Sequence, residues 1–550
     1  MRRLSFFLTF AVAMTAAQAK IVSVTDFGAI PNDGIDDAPA LRKAAEYCRT
    51  HKGTTLEFPR GVYNFHDDEA VEIERKAQSG EWGGWIDVSE RLFRHDAPYV
   101  KGLDFTGAEN LTIKAQGATL VVDGWMQVIT LTRTKNAIVE GLTITMSRPG
   151  ATVGRVVSTG PDSFEIEYDP KLYTYTDSLC LGRSYMYSKK RDLIYPGWVR
   201  DNTVISPGRV RFNSKANPEI GDFCVLRNGG HYRPSILIKE ADNTTLRNVR
   251  IMDHAGMGVV GHMSHNITLD GLQVVPQPDH VASSTTDATH FTSCTGMITL
   301  KNCKFRGQGD DCTNIHNYYY HFYPQKDGRT EIRVEGADLH ALSLDYPMPG
   351  DTMLVINKRN MADMGKFRVE KVDTSEADWT VFVTFDRPLP AGSDTTCYMA
   401  NLTRSPRVLI ENNTVDSHLA RAFLIKTNKE IVIRGNYIRG STSSAIKLGG
   451  EIGWHESGPV ENVLIEGNYI SNCGIACGEN DGSCVRTSTE SPETPPYVNR
   501  NITIRDNVFQ IDNATAIFLE DAEKVNIYDN LCNKTDYVKT ANCGEVNVVY

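Results

Sequence analysis

One eight-residue pattern recurs along this chain and confines what it can fold into. Its first full copy, Ile298–Phe305, has apolar residues at positions one, three, six and eight and Asn302 at position five. The pattern returns at Val408–Val415, Ile431–Ile438, Val463–Ile470 and Ile502–Phe509, with weaker copies at Ala137–Ile144, Thr244–Ile251, Ile267–Val274 and from Val525 onward. Apolar alternation on either side of a turn residue reads as strand, bend and strand. Several copies start 23 residues apart, at 244 and 267, 408 and 431, and 502 and 525. A step of this size marks a solenoid, in which each coil buries its apolar edge only by stacking on the next. A β-sandwich would show a turn signal every 8 to 12 residues instead of one motif per coil. The spacing therefore predicts a parallel β-helix, with the recurring Asn at 302, 412, 436, 468 and 507 expected at left-handed bends.

Two steps between copies are far longer, 107 residues from 137 to 244 and 110 from 298 to 408. After one coil is allowed for, roughly 85 residues remain in each, the size of a small domain. Alternating Phe164, Ile166 and Tyr168 in the first, and Val381, Val383 and Phe385 in the second, predict two inserted antiparallel β-barrels. The expected division is β-helix over 20–147, 233–318 and 405–550, with barrels over 148–232 and 319–404. Asp36 or Asp37 can cap a short helix with Pro39 in its first turn, and Leu41, Ala44, Ala45 and Cys48 share one face. Such a helix would close the open apolar end of the solenoid, and helix is expected largely there.

Arg2 and Arg3, an apolar run from Leu4 and the Ala17-Gln18-Ala19 end predict a secretory signal peptide over 1–19 and an exported protein, periplasmic or extracellular in a bacterium. No later run approaches the ~18 to 20 apolar residues of a membrane span. With 41% hydrophobic and 23% charged residues the composition is that of a globular protein, and a net charge of −10 argues against nucleic acid or an anionic membrane as partner. A neutral substrate fits this balance, and no oligomeric state follows from it. Cys473, Cys477 and Cys484 leave a loop disulfide open, while no histidine completes a zinc spacing around them.

The densest polar constellation is Thr286-Asp287-Ala288-Thr289-His290-Phe291 followed by Gln308-Gly309-Asp310-Asp311-Cys312-Thr313-Asn314-Ile315-His316. Asp310 follows Asp287 by one 23-residue step, so the acids should crowd one patch, with residues one coil apart about 4.8 Å from each other. Like charges at that range raise at least one pKa, which lets one site hold an acid and a base. Glycoside hydrolysis needs that pair: a protonated carboxyl for the leaving oxygen and a carboxylate for water or the sugar. His290 and His316 beside the acids are expected to hold sugar hydroxyls. Trp454 is a candidate to stack on the apolar face of a sugar with Glu456 gripping a hydroxyl pair.

These motifs resemble glycoside hydrolase family 110, bacterial exo-acting α-1,3-galactosidases built on a β-helix with inserted barrels. The resemblance runs over most of the chain: Val24–Gly28 and Phe58–Tyr63, Asp287-Ala-Thr-His-Phe291, Asp310-Asp311-x-x-Asn314-x-His316 and Trp454-x-Glu456-Ser457-Gly458. It implies a right-handed solenoid and an inverting glycosidase without metal or cofactor. Its substrates would be galactose-terminated glycans such as blood-group B structures. It also implies Asp310 as general acid, Asp287 with Asp311 activating water, and Asn314 among the substrate-binding residues. Two alternatives are a polygalacturonase-like pectin hydrolase, whose Asn-Thr-Asp and Gly-His-Gly motifs are missing, and a non-catalytic carbohydrate-binding β-helix, which has no use for crowded carboxylates.

Overall fold

The computed structural model describes residues 20–79, 81, 99–172, 183–199, 201–333, 345–375, 377–390, 392–393, 396–478, 481–493, 495–512 and 515–549. The leader expected at 1–19 lies outside them. Strands stack coil upon coil into a parallel β-helix: one face carries thirteen strands and a second eleven among the described residues. A third runs through Val259–His262, Thr289–Thr292, Thr313–Pro324, Phe423–Ile425 and Ile446–Leu448. The repeated pattern is the corner between the first two faces. Its first residues pair in one line, Ile267, Ile298, Val408, Ile431, Val463, Ile502 and Val525. They point into a core that runs the length of the solenoid.

The corner corrects one expectation. The fifth position is the left-handed one in every copy, whether it holds Asn302, Asn412, Gly435, Gly467, Asp506 or Asp529. Asn436, Asn468 and Asn507 occupy the sixth position, which the first copy fills with Cys303, and they are buried. With Asn413 and Asn530 they form an internal ladder. Asn413 N–H donates to Asn436 Oδ1 (2.9 Å), Asn436 N–H to Asn468 Oδ1 (3.0 Å), Asn468 N–H to Asn507 Oδ1 (2.9 Å) and Asn507 N–H to Asn530 Oδ1 (3.0 Å). Each amide also donates to a strand carbonyl one coil back, as Asn468 Nδ2 does to Ile433 O at 3.0 Å. A left-handed corner turns its backbone N–H groups inward, and the asparagine side chains satisfy them where no water reaches. Asn468→Ala strips partners from Asn436 N–H and Ile433 O at once, so it is expected to lower unfolding stability by about 2–3 kcal/mol. An unchanged urea midpoint would refute the ladder's role.

The expected helix is present as α1, Ala38–Thr50, with Leu41, Ala44, Ala45 and Cys48 buried in the main core at its first coils. Of the two capping candidates Asp36 is the one that accepts Ala38 N–H, through Oδ1, while Asp37 spends its carboxylate on Ile30 and Asn64 N–H. A second helix, α2, Asp68–Gln78, was not anticipated. Asp67 caps it through Ala70 N–H at 2.9 Å, and Ala70, Ile73 and Ala77 form its buried stripe.

Both long steps contain antiparallel sheet. The first forms a seven-stranded antiparallel sheet between Thr152 and Leu226 with Phe164 and Ile166 buried. Its edge strands Leu193–Pro196 and Asp201–Ser206 do not pair with each other among the described residues, so the barrel expected at 148–232 is an open sheet. It docks on the solenoid through Ile194 N–H to Ser417 Oγ and through Asp192, which pairs with Arg306 and Arg439. The second closes into a six-stranded barrel: strand Thr313–Pro324 pairs with Thr330–Arg333, then Thr380–Phe385, Asp363–Ser375, Thr352–Asn357, Cys397–Asn401 and back to itself at Tyr319–Tyr320. Tyr318, Tyr320 and Phe322 belong to its core. One strand thus begins on the solenoid and ends in the barrel, passing through 318 and 319 without a break.

Candidate active site

The third face sets the site. Strand alternation buries Phe291 and Ile315 in the core and leaves His290, Thr292, Asn314 and His316 on the opposite side. The coil step here is 24, not 23, because Thr289 pairs with Thr313. The stacked neighbour of Asp287 is therefore Asp311, and that of His290 is Asn314, a correction to the expected pairing of Asp287 with Asp310. The next coil continues the line, since Thr313 pairs with Phe423, and puts Arg421 after Asp311. Asp287 Oδ1 accepts Asp311 N–H at 3.2 Å, and Asp311 Oδ1 accepts Arg421 N–H at 2.8 Å. Each acid caps the turn of the following coil.

One oxygen from each of Asp287, Asp310 and Asp311 lies within 4.8 Å of the others. Asp287 and Asp311 are buried, whereas the Asp310 side chain is 26% exposed. Burial pushes Asp311 well above the ordinary carboxylate range; Arg421, whose Nε stands 3.1 Å from Oδ1, opposes the shift, and the other two acids add to it. Burial also raises Asp287, against the pull of His290. The first insertion supplies Arg227, buried with its guanidinium donating to Gly309 O and lying 3.8 Å from Asp310 Oδ2.

Beside the acids stands a second polar group. His290 Nδ1 meets Asp287 Oδ2 at 2.7 Å, and its Nε2 meets His316 Nε2 at 2.9 Å. His316 Nδ1 is 2.8 Å from Asn317 O. All four ring nitrogens are thus engaged by protein, which leaves none for the sugar hydroxyl expected of these histidines. Asn314 donates to Glu456 at 3.1 and 3.3 Å, so these two residues do meet. Glu456 reaches this point because Glu456–Ser457 pairs with Tyr318 and Asn317 of the long strand. Trp454 is 60% exposed on the turn two residues earlier, and its ring makes no aromatic or cation–π contact among the described residues.

Behind Glu456 lies a buried ion network. Lys426 pairs with Glu456 and with Glu451 (2.7 Å), and Lys447 pairs with Glu451 at 2.6 Å. Burial works against charge on Glu456, but His316 and Lys426 win and bring its pKa down to about 2. Arg421, Lys426, Glu451 and Arg227 escaped the reading of the sequence. Two had a signal: the 110-residue step that carries Ile298 to Val408 also carries Asp311 to Arg421 and His316 to Lys426.

A right-handed β-helix region matches residues 396–544. α-1,3-Galactosidase A of Shewanella woodyi is 28% identical over 95% of this chain and 88% of its own length. α-1,3-Galactosidase B of Bacteroides thetaiotaomicron is 27% identical over 95% and 87%. The chain is a homologue of these proteins. This agrees with the resemblance to glycoside hydrolase family 110 seen in the motifs. Among solved structures, a hyperthermoactive exopolygalacturonase from Thermotoga maritima aligns at a TM-score of 0.44 with 12% identity, over 96% of this chain and 92% of that one. No helix among the described residues is long and apolar enough to cross a membrane.

Proposed function

We propose that the protein is an exo-acting, inverting α-1,3-galactosidase that removes terminal α-linked galactose from glycans such as blood-group B structures. The observation that carries the chemistry is the convergence of Asp287, Asp310 and Asp311 within 4.8 Å, two of them buried and shifted upward. Kinship with named α-1,3-galactosidases over nearly the whole chain supports the choice of sugar and linkage. Asp310, the most open of the three, is assigned to protonate the leaving oxygen. The stacked pair Asp287 and Asp311 is assigned to activate the attacking water, with Asp287 taking its proton and Asp311, held toward its neutral form by burial, orienting it. Asn314 and Glu456 together offer a donor and an acceptor to galactose hydroxyls, with Trp454 at hand for its apolar face. No metal or cofactor enters this reading, so hydrolysis of an α-1,3-galactosyl disaccharide is expected to continue in EDTA. Export by the 1–19 segment belongs to the same proposal, and an exported form whose N-terminus is not near Lys20 would count against it.

A second reading, retention through a covalent intermediate, is favoured by one observation. Inverting pairs stand roughly 6.5–9.5 Å apart and retaining pairs about 5–5.5 Å, and the nearest oxygens here lie within 4.8 Å. Proton NMR of the first galactose released separates the two. Inversion yields β-galactose before mutarotation; α-galactose appearing first would establish retention.

A further inference from the structure

We propose that His290 is a positioning residue for this reaction: it carries, as an imidazolium aligned by His316, the proton that the Asp287 carboxylate would otherwise take. The proposal rests on the galactosidase reading and adds to it how one of the paired bases is kept ionised.

The hydrogen-bond chain fixes the protons in order. Asn317 O can only accept, so His316 Nδ1, 2.8 Å away, carries a hydrogen. Burial lowers the pKa of His316 to about 4, so at neutral pH its Nε2 is a bare lone pair and accepts. His290 Nε2, 2.9 Å away, must then donate. With that nitrogen protonated, His290 Nδ1 can face Asp287 Oδ2 at 2.7 Å only with one proton between them. Burial disfavours charge on His290, yet the hydrogen bond and charge of Asp287, with Glu456 behind, shift it above the ordinary imidazole range. The two rings meet edge to face with centroids 4.9 Å apart, which leaves His290 little freedom to turn away.

The charges around the chain favour the same arrangement. Asp310, Asp311 and Arg421 face Asp287, and Glu456 and Lys426 face His290 and His316. From the first insertion Arg227 lies toward Asp310 and Asp287, and His231 toward His290. A cation on His290 offsets the crowding of the acids. Without it, Asp287 would sit desolvated beside two other carboxyls and hold its proton to higher pH.

The test is His290→Gln, which keeps a hydrogen-bond donor toward Asp287 but no charge. The acid limb of its kcat/KM profile is expected to move upward by about one pH unit or more, with part of the turnover regained on the alkaline side. KM should change less than about threefold, because no ring nitrogen is left to bind sugar. His316→Gln, whose amide oxygen still accepts from His290 Nε2, should shift the limb less. A His290→Gln profile of unchanged shape, or a loss confined to KM, would overturn the proposal. A parent enzyme inactive on every α-galactoside would instead defeat the galactosidase reading. The proton arrangement is then read without activity, by nitrogen NMR of histidine-labelled protein. The expected signals are a neutral, Nδ1-protonated His316 and a doubly protonated His290 at neutral pH; a His316 protonated at Nε2, or a neutral His290, refutes it.

Discussion

Asp310→Asn is expected to cut turnover on a natural α-1,3-galactosyl disaccharide by about 10²–10⁴-fold, the usual contribution of a general acid, and to cost much less on a nitrophenyl α-galactoside. The nitrophenolate leaves without protonation, so a variant that lacks only the acid spares that substrate. Asp287→Asn and Asp311→Asn should impair both substrates alike, because activation of water is needed whatever departs. The double variant should lose little more than either single one, since the two acids are stacked neighbours linked by the Asp311 N–H to Asp287 Oδ1 bond and act as a unit. The fold should survive. Asn is nearly the shape of Asp, and its side-chain oxygen can still accept the backbone N–H that each carboxylate caps, Asp311 N–H for Asp287 and Arg421 N–H for Asp311. Three variants with near-parental turnover would place the active site elsewhere, and equal losses on both substrates for Asp310→Asn would remove it from the acid's role.

The second large effect is on stability. Lys426→Met is expected to lower unfolding free energy by about 3–5 kcal/mol, the range for removing one partner from a buried ion pair. The Lys426 side chain is 0% exposed and bridges Glu451 and Glu456; without it the two carboxylates face each other, with Lys447 and Arg421 still paired to Glu451 and His316 3.7 Å from Glu456. The pH dependence has a definite sign. The folded-state pKa of Glu456 is depressed from 4.5 to about 2, so the stability it contributes is present above its unfolded pKa and is lost as pH falls from there toward 2. In the variant the unpaired carboxylate gains by protonation, so the difference between variant and parent should shrink on acidification below about pH 4.5. Urea unfolding at pH 7 and pH 4 measures both. Equal midpoints at pH 7 would show that the network does not depend on Lys426.

Much of this architecture is legible from one strand-to-strand corner. Stacking requires each coil to repeat an apolar edge, so Ile298, Val408, Ile431 and Ile502 announce themselves by spacing, and an interruption of the spacing announces an insertion. The sixth position was harder. Cys303 fills it with an apolar group and Asn413, Asn436, Asn468 and Asn507 with a polar ladder, and only the inward turn of the corner N–H groups says why both belong there. The acids stand out because one coil step and two flanking histidines bring Asp287 together with Asp310 and Asp311, but the expected pairing is off by one residue. A coil step is set by irregularities as well as by strands, and this coil takes its extra residue between Thr295 and Ile298, where the pairing with His265 and Ile267 shifts register. Histidine roles were the least legible. A sequence shows that two rings lie near the acids, whereas their protein partners, Asp287 and the Asn317 carbonyl, depend on side-chain direction across coils.

The strand Thr313–Pro324 has a consequence for redesign. Its first four residues include Asn314 and His316, its middle pairs with the Glu456 segment, and its end is a stave of the barrel. Barrel and catalytic floor are therefore one continuous beam with no joint between them. Replacing the barrel by a short turn would unseat the residue that grips Asn314 and Lys426, so a transplant intended to alter glycan choice has to exchange the outer connections between staves and leave this beam whole.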